Sequence, residues 1–330
     1  MTSGRILVTG ATGFIGVEVA RQIAAGGGRA RLMVHRSHRA HYVRAFSGDL
    51  VVGDLADGAS LARAVDGVDA VIHLGGRATF ESYAVVRPTL VDGTARLAQA
   101  AAAAGVAHFV FASSTMVYDG IGGPADDRTP VAPWSGYGRA KVAAELALGE
   151  VAAGTTLGVA VLRLPHVYGA GDAMFAMVRR GLLVSPGRGD VPFSHLHVAD
   201  AARALVAVIA TGWRGSAPIA DDAPASWREF VALLRSEFPR LRELRVPPSL
   251  AALGARVPAF VARVRDRPTL LTPDAVAGWN RSLVVAPGPL WAQLGLAPRY
   301  PTIQTGVPAA AHDPLPEGWV HPVNDHRQLT

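Results

Sequence analysis

Short apolar runs rich in β-branched residues alternate with longer segments of helical periodicity through the first half of the chain. The longer segments predict helices over residues 14–25, 61–65, 89–104 and 137–151. The short runs predict six strands, over residues 6–9, 30–34, 50–52, 70–74, 109–112 and 159–162. Such alternation is typical of βαβ units. We therefore expect an α/β fold with a doubly wound parallel sheet, whose ligand crevice lies at the carboxyl ends of the strands.

The second half of the chain is less regular and richer in proline. Its pattern predicts helices over residues 173–180, 198–210, 227–238 and 249–265. We expect residues 1–165, completed by about 198–220, to form the doubly wound domain. Residues 166–197 and 221–330 are expected to form a smaller domain that covers it. The tail from 308 to 330 shows no periodicity, which predicts an ordered coil at most.

The apolar segments bear on membrane contact and location. The longest of them, such as residues 204–210, are too short to span a bilayer. Residues 250–264 are apolar enough for a lid or a membrane-surface helix, but Arg256 and Arg263 interrupt them, and we expect a core or lid helix. The N-terminus runs into the first strand without the features of a signal peptide, so we expect a cytoplasmic location.

The chain carries a formal net charge of +6 and a pI near 10.2, which raises the question of a nucleic-acid partner. We expect none, because the arginines are dispersed along helices and are not interleaved with aromatic residues. A locally basic pocket for a phosphorylated ligand explains the charge better. The absence of cysteine excludes disulfides, thiolate nucleophiles and cysteine metal sites. His195 and His197 could form a metal pair, but no third ligand is evident and no metal is expected.

The first predicted strand ends in TGATGFIG, at residues 9–16, and this sequence opens the first predicted helix. Gly10 permits a tight turn, Gly13 lets the backbone approach a pyrophosphate, and Gly16 lets the helix pack closely on the sheet. The helix N-terminus supplies amide donors to the anion. The predicted dinucleotide-binding residues of this loop are Gly10, Thr12, Gly13, Phe14, Ile15 and Gly16.

The residues after the next three strands complete the predicted cofactor site. NAD-binding proteins usually carry an acid after the second strand, where it binds the adenosine ribose, but this chain has His35-Arg36-Ser37. A guanidinium suits a 2′-phosphate and offers no acceptor to a ribose hydroxyl, so Arg36 favours NADP(H), with NAD(H) possible. The residues expected beside the adenine, the pyrophosphate and the nicotinamide ribose are Asp54, Leu55, Leu74, Gly75 and Gly76.

Lys141 is the single lysine of the chain, and it lies four residues after Tyr137 in the sequence YGRAK. At this spacing the two side chains share one helix face. The ammonium then favours the phenolate and brings the pKa of Tyr137 toward a value useful for acid–base catalysis. Lys141 can also hydrogen-bond the ribose next to a nicotinamide.

In the order and spacing of these motifs, the chain resembles the extended short-chain dehydrogenases/reductases, the NAD(P)-dependent epimerase/dehydratase superfamily, over nearly its whole length. The matching sequences are TGATGFIG at 9–16, VIHLGG at 71–76, FASSTMVY at 111–118, YGRAK at 137–141, LRLPHVYG at 162–169 and HLHVADAARAL at 195–205. GDLAD at 53–57, VDGVDAVIHL at 65–74 and LGLAPRY at 294–300 are most similar to the 3β-hydroxysteroid dehydrogenase and dihydroflavonol reductase branch. The resemblance implies a Rossmann-type sheet and a smaller C-terminal substrate-binding domain.

The resemblance also implies roles for individual residues. Ser114 is implied to hold the substrate oxygen that Tyr137 protonates as hydride leaves the nicotinamide, with Lys141 as the third catalytic residue. Ser114 is preferred to Ser113 because of its place in SSTMVY. Asp200 is implied to cap the helix that follows it. The further residues implied are Pro165 and Val167 for the nicotinamide, and Thr115, Met116, His166 and Tyr168 for the substrate.

Three departures from the family pattern limit the chemistry. The usual Asn of the helix motif NVxGT is Leu90 here, so a proton relay or helix distortion that depends on that Asn loses its basis. Thr115-Met116 stands where the sugar dehydratases of the family carry Asp-Glu, which removes the acid and base of an elimination. Pro165-His166-Val167 lacks the Asn that nucleotide-sugar enzymes tend to carry after the sixth strand.

We therefore expect an NADP(H)-dependent oxidoreductase that reduces a ketone or aldehyde, or oxidises the corresponding alcohol, of a small and largely apolar substrate. One alternative is a nucleotide-sugar epimerase with tightly bound NAD(P), which would show no net cofactor consumption. Another is a non-catalytic NADPH-sensing regulator, although such proteins characteristically lose the Tyr-Lys pair. The resemblance further implies a homodimer that packs through the helices predicted at 89–104 and 137–151.

Overall fold

A computed structural model describes residues 4–118, 123–286 and 288–325. The strands are β1 (Ile6–Thr9), β2 (Ala30–Val34), β3 (Asp49–Val52), β4 (Ala70–His73), β5 (His108–Ser114), β6 (Gly158–Leu164), β7 (His166–Tyr168), β8 (Leu182–Pro186), β9 (Pro192–Phe193), β10 (His195–His197), β11 (Gly215–Pro218), β12 (Ala225–Ser226) and β13 (Arg242–Val246). The helices are α1 (Phe14–Ala25), α2 (Gly58–Val65), α3 (Tyr83–Arg87), α4 (Gly93–Ala103), α5 (Gly136–Ala153), α6 (Ala173–Arg179), α7 (Val198–Thr211), α8 (Trp227–Glu237), α9 (Pro248–Val264), α10 (Pro273–Trp279), α11 (Leu290–Gln293) and α12 (Ile303–His312).

Seven strands form one parallel sheet in the order β11-β6-β5-β4-β1-β2-β3. The α/β class with a doubly wound parallel sheet, predicted from the alternating pattern, is confirmed. The strand order reverses between β1 and β4, where Thr9 lies beside His73. A ligand crevice of this fold lies beyond the carboxyl ends of the strands at such a reversal. The residues that follow Thr9 and His73 therefore border the crevice.

Helices cover both faces of the sheet, which explains the uninterrupted apolar runs of its strands. Successive side chains of a strand point to opposite faces. Ile6 and Val8 of β1 accordingly pack in a core that includes residues of α1 and α7. Leu7 packs in a second core with residues of α2, α4 and α5. The strand β11 extends the sheet beyond β6, so residues 198–218 belong structurally with the first half of the chain.

The single helix predicted at 89–104 is two segments, and a further short helix precedes them. The short helix α3 leads into a π-helical turn at Pro88–Asp92, and α4 follows from Gly93. The distortion is therefore present although Leu90 replaces the Asn of the family. Pro88 accounts for it, because proline lacks the amide hydrogen that would continue the α-helical pattern and its ring crowds the preceding turn.

Residues after 164 build most of a third core, in which aromatic residues of β7, α6 and α8 meet the helix α12. Three two-stranded sheets, β7 with β10, β9 with β12 and β8 with β13, are packed around it. The prediction of an aperiodic tail from residue 308 is wrong for its first part, since α12 runs through Pro308 to His312. A further 3₁₀ turn lies at Pro322–Asn324, and the predicted tail residues 326–330 lie outside the described residues.

The helix α9 differs from its expected setting. A core or lid helix was the prediction, but its large apolar side chains are exposed and only Ala255 and Ala262 are buried. No helix in the described part of the chain has both the length and the apolarity needed to cross a membrane.

The prediction that Asp200 caps a helix is also wrong. The His197 side chain accepts from the Ala199 amide as the N-cap of α7, and Asp200 instead binds the amides of Arg299 and Tyr300.

Candidate active site

The loop between β1 and α1 has the geometry that an anion needs. Gly10 has a φ of +65°, and a Cβ there would lie 2.7 Å from the Leu74 carbonyl group. A Cβ on Gly16 would collide with the Gly10 carbonyl oxygen. Gly13, the N-cap of α1, offers no side chain to the first-turn amides of Phe14 and Ile15. These amides are therefore available to a pyrophosphate, as the sequence predicts, and the loop fits a dinucleotide.

A buried hydrogen-bond chain ties this loop to the end of β4. His73 Nδ1 lies 2.6 Å from Thr9 Oγ1, and its Nε2 lies 2.9 Å from Thr94 Oγ1. Thr94 donates to the Leu90 carbonyl and Thr9 accepts from the Gly75 amide. His73 must therefore donate through Nε2 and accept through Nδ1. Burial, with the nearby Lys141, lowers the pKa of His73 to about 3, so the ring is neutral and fixes the loop that holds Gly75.

The other residues predicted to contact the cofactor lie around this loop. Asp54 uses a carboxylate oxygen to accept from the Ala56 amide, at 2.8 Å, and so shapes the turn after β3. Leu55 is buried under Gly93, and Gly76 lies against Leu90. Pro165 and Val167 are half-buried at the end of β6. Sequence reasoning thus selected residues that the fold gathers at one edge of the sheet, while their contacts with a cofactor stay predictions.

The chain tail returns to the end of β2, which the sequence did not indicate. Trp319 donates to the Gly171 carbonyl at 3.0 Å, and the buried carboxylate of Asp325 lies 2.8 Å from Arg39 and 2.9 Å from His38. Arg39 also donates to the Thr12 carbonyl of the glycine loop. Arg36, half-buried, donates to the Asp325 carbonyl oxygen at 3.4 Å. The predicted 2′-phosphate region therefore has two arginines and one tail carboxylate.

The three predicted catalytic residues come together. Ser114 ends β5, Tyr137 opens α5 and Lys141 lies one turn further on the same face. The Ser114 hydroxyl lies close enough to the Tyr137 phenol to lower the pKa of that phenol. The Lys141 ammonium lies 5.7 Å from the Tyr137 ring centroid. Helix α5 can approach β5 this closely because Gly138 leaves room for the Met116 carbonyl oxygen, against which any Cβ would collide.

The protonation of this set differs from the sequence expectation. Burial raises the pKa of Tyr137 above its usual value, and the nearby Ser114 hydroxyl lowers it less. The ammonium of Lys141 donates to the Ala112 carbonyl at 2.7 Å instead of to the phenol. Burial lowers the pKa of Lys141 to about 8, while Glu145 acts in the opposite direction. The Tyr137 phenol is consequently protonated at neutral pH. Lys141 loses its proton at a pH only slightly above neutral.

Aromatic and apolar side chains pack with Tyr137 in one hydrophobic cluster. Phe80 makes an edge contact with the Tyr137 ring at 5.6 Å. Trp134 and Met116 lie next to Gly278, and Trp279 stacks on Trp227 at 4.4 Å. These rings come from four distant segments. Of these residues, Met116 was predicted from the sequence, whereas Phe80, Trp134 and Trp227 were missed because nothing in their local pattern separates a substrate contact from a core residue.

The remaining predicted substrate residues have different settings. His166 lies against Trp227 at 4.6 Å and donates through Nδ1 to His195, since His195 Nε2 must donate to the Ala225 carbonyl. Thr115 is buried at the end of β5. Tyr168 is fully buried, and its hydroxyl packs on Gly306 of α12, so the structure places it in the third core. His195 and His197 are buried, and no group of three potential metal ligands occurs within the described ranges.

Comparison with known proteins gives the arrangement a context. The model of the NAD dependent epimerase/dehydratase family matches residues 6–219. The ceramide reductase of Caulobacter vibrioides is 30% identical over 267 residues, which cover 78% of this chain and 78% of that protein. The UDP-glucose 4-epimerase of Vibrio cholerae is 30% identical over 214 residues, or 62% of each chain.

A solved structure shows the same fold. That structure, MoeE5 in complex with UDP-glucuronic acid and NAD, superposes with a TM-score of 0.74 at 25% identity and covers 93% of this chain and 97% of its own. The family match and the shared fold agree with the resemblance seen in the sequence. Their names include both reductases and nucleotide-sugar enzymes.

Proposed function

Since this chain belongs to the NAD-dependent epimerase/dehydratase family, whose members include dehydrogenases, reductases and epimerases, we propose that it is an NADP(H)-dependent reductase of a ketone or aldehyde on a largely apolar substrate. The observation that carries the proposal is the meeting of Ser114, Tyr137 and Lys141 next to a cluster of aromatic side chains. The Ser114 hydroxyl lies near the Tyr137 phenol, so we propose that both hydroxyls contact one substrate oxygen.

The protonation of the site suits reduction. Hydride transfer is the chemistry that a nicotinamide supplies in such a site. Tyr137, whose pKa is raised by burial, is protonated and can give its proton to the carbonyl oxygen as the alcohol forms. Ser114 orients that oxygen. The Lys141 ammonium, 5.7 Å from the Tyr137 ring centroid, stabilises the phenolate that remains.

The aromatic side chains packed with Tyr137 favour an apolar substrate. Phe80, Trp134, Trp227 and Trp279 offer ring faces, and Met116 offers an adaptable side chain. No carboxylate stands beside Ser114 in the Thr115-Met116 step, so elimination chemistry has no acid or base there. Ceramide, after which the Caulobacter relative is named, is an apolar molecule with an oxygen function and illustrates the substrate class that we propose.

Arg36 supports the preference for NADP(H). Its guanidinium follows β2 at the place where an acid would serve NAD, and it is half-buried beside the buried Arg39. Two guanidiniums suit a doubly charged phosphate. The Asp325 carboxylate balances part of this charge, so the preference should depend on Arg36 most strongly.

A nucleotide-sugar epimerase is the second candidate, because two of the relatives compared carry that chemistry or ligand in their names. The same Tyr137 and Lys141 would then oxidise and re-reduce a bound sugar. The aromatic cluster around Tyr137 favours the reductase, and so does the absence of the nucleotide-sugar Asn from Pro165-His166-Val167. A regulator that binds NADPH without turnover is disfavoured by the complete Ser-Tyr-Lys set.

The test is the loss of NADPH absorbance with a panel of cyclic, aromatic and long-chain ketones, with NADH and nucleotide sugars in parallel. Turnover of a ketone, faster with NADPH than with NADH, is the expected result. Isomerisation of a nucleotide sugar at constant cofactor would establish the epimerase instead. Tight cofactor binding without turnover of either class would establish the regulator.

A further inference from the structure

The helix α9 reverses the usual amphipathic arrangement, in which the large apolar side chains pack against the core. Its buried face consists of Ala255 and Ala262, whereas its large apolar side chains face solvent. The exposed side chains keep between 40% and 68% of their surface accessible. We call these exposed residues of α9 the apolar stripe: Leu250, Leu253, Val257, Phe260, Val261 and Val264.

The spacing of the apolar stripe makes it continuous. Its members follow one another at intervals of one, three or four residues, so they line a single face over the whole helix. Ten of the fourteen exposed large hydrophobic residues of the described chain lie between residues 182 and 271. The exposure is therefore concentrated on one part of the surface. A contiguous patch of this kind marks an interaction site.

Neighbouring strands extend the patch. Val184 of β8 pairs with Leu244 of β13, and Leu182 lies on the same face of that two-stranded sheet. All three side chains are about half exposed. The strand β13 leads directly into α9 through Pro247, so the sheet face and the apolar stripe adjoin along the chain.

Positive charge borders the apolar stripe on both edges. By helical periodicity, Arg256 and Arg263 lie along one edge and Arg265, just after the helix, lies along the other. All three arginines are exposed. Residues 248–264 contain no Asp or Glu. An apolar face with arginines at its margins is the pattern of a helix that lies in the plane of an anionic lipid interface.

The position of α9 connects the apolar stripe to the candidate active site. Arg77, which follows Gly76 in the loop after β4, bonds the Asp266 carboxylate at 2.8 Å and the Arg267 carbonyl at 2.7 Å. These two residues directly follow the helix. The helix α10, next along the chain, ends in Trp279, which packs against the same hydrophobic cluster as Tyr137.

We propose that the apolar stripe docks this protein on an anionic lipid surface, with α9 lying in the plane of the interface. A second copy of the chain is the competing occupant. In a two-fold pair of stripes, the arginine margins of the two copies would face each other and repel. Lipid phosphates instead complement these arginines, so the charges favour the lipid surface.

The test is co-sedimentation of the full chain with phosphatidylcholine vesicles that contain or lack phosphatidylglycerol. We expect binding to the anionic vesicles that weakens as salt rises. Val257→Ser should weaken this binding about fivefold to tenfold, because it removes an apolar group from the interface. Val52→Ser is the matched control, since Val52 is 65% exposed and Val257 is 67% exposed on different faces. It should leave binding unchanged.

Two further measurements identify what drives the binding. Arg256→Gln with Arg263→Gln should weaken binding to anionic vesicles and leave the weak binding to neutral ones unchanged. Absence of binding to either vesicle would overturn the proposal, as would equal losses in the Val257 and Val52 variants. Oligomers in sedimentation velocity that Val257→Ser dissociates would assign the stripe to self-association instead. The assay contains neither cofactor nor ketone, so its outcome is independent of the proposed reaction.

Discussion

Replacement of the single lysine should make the protein more stable while removing its activity. Lys141 is buried, and its pKa falls from 10.5 to about 8 because burial disfavours the ammonium. At about 1.4 kcal/mol for each pKa unit, this cost is about 3 kcal/mol. Lys141→Met keeps the apolar stem and removes the charge. It also leaves the Ala112 carbonyl without the ammonium donor, which offsets part of the gain. We expect a net gain of about 1–3 kcal/mol in the free energy of unfolding at pH 7.

The pH dependence identifies the source of this gain. Between pH 8 and 10.5 the unfolded chain keeps the lysine proton that the folded protein has released, so the wild type gains stability as pH rises through this window. The advantage of Lys141→Met should therefore shrink by about 2 kcal/mol between pH 7 and pH 9.5. Asp221, whose pKa is raised to about 8 by burial, acts in the opposite direction in both proteins. It cancels from the difference.

Urea unfolding followed by tryptophan fluorescence at pH 7, 8, 9 and 9.5 measures this difference. Arg139→Met is the control, because it removes an exposed cation from the same helix and should change stability by no more than about 0.5 kcal/mol. A Lys141→Met protein that is less stable than the wild type at pH 7 would refute the reasoning, as would an advantage that does not change with pH. Either result would mean that the ammonium is well solvated or well paired in the folded state.

Three further predictions concern the cofactor, a buried acid and assembly. Arg36→Asp should weaken NADPH binding by at least about tenfold and strengthen NADH binding, since an acid can accept from the ribose hydroxyls; unchanged affinities, measured by fluorescence titration, would disprove the 2′-phosphate assignment. The carboxylate oxygens of Asp221 have no hydrogen-bond partner among residues 4–118, 123–286 and 288–325, and burial raises the pKa to about 8. The stability of the wild type relative to Asp221→Asn, measured by thermal unfolding, should thus fall as pH rises from about 5 to 8. The homodimer implied through α4 and α5 should appear in sedimentation velocity and dissociate in Leu146→Glu, because Leu146 is 64% exposed on α5; a monomeric wild type at high concentration would exclude it.

The part of the fold that the sequence predicted is the part with local signals. The strands β1 and β2 and the helix α1 have the predicted bounds, because their apolar runs are bordered by glycines and by the loop TGATGFIG. The helix predicted at 89–104 failed in its first four residues, since Pro88 introduces a π-helical turn that a periodicity count cannot detect. The helix α9 was predicted correctly from its apolar periodicity, but the prediction of a core or lid helix was wrong, because its apolar face is exposed. Periodicity shows that a helix has an apolar face, but not whether that face meets the core or the surroundings.

In the candidate site, too, the residues with local signals were predictable and the contacts between distant segments were not. Ser114, Tyr137 and Lys141 were predictable because parallel strands bring the ends of β1, β4 and β5 to one edge and because an i, i+4 pair shares a helix face. Contacts between segments that are distant in sequence were not predictable. Asp325 reaches Arg39 across 286 residues, and the stack of Trp227 on Trp279 joins α8 to α10. The protonation of Tyr137 also depends on burial, which only the folded chain defines.

The most direct test of the proposed reductase site is NADPH oxidation by the wild type and by Tyr137→Phe on one reactive ketone, with the dissociation constant for NADPH measured on both proteins. We predict that turnover is lost, by about a thousandfold or more, since the proton donor is removed. The affinity for NADPH should stay within about twofold, because the substitution leaves the glycine loop and Lys141 in place. Turnover that survives in Tyr137→Phe at an unchanged rate would contradict the assignment of Tyr137 as the acid and, with it, the proposed reductase site.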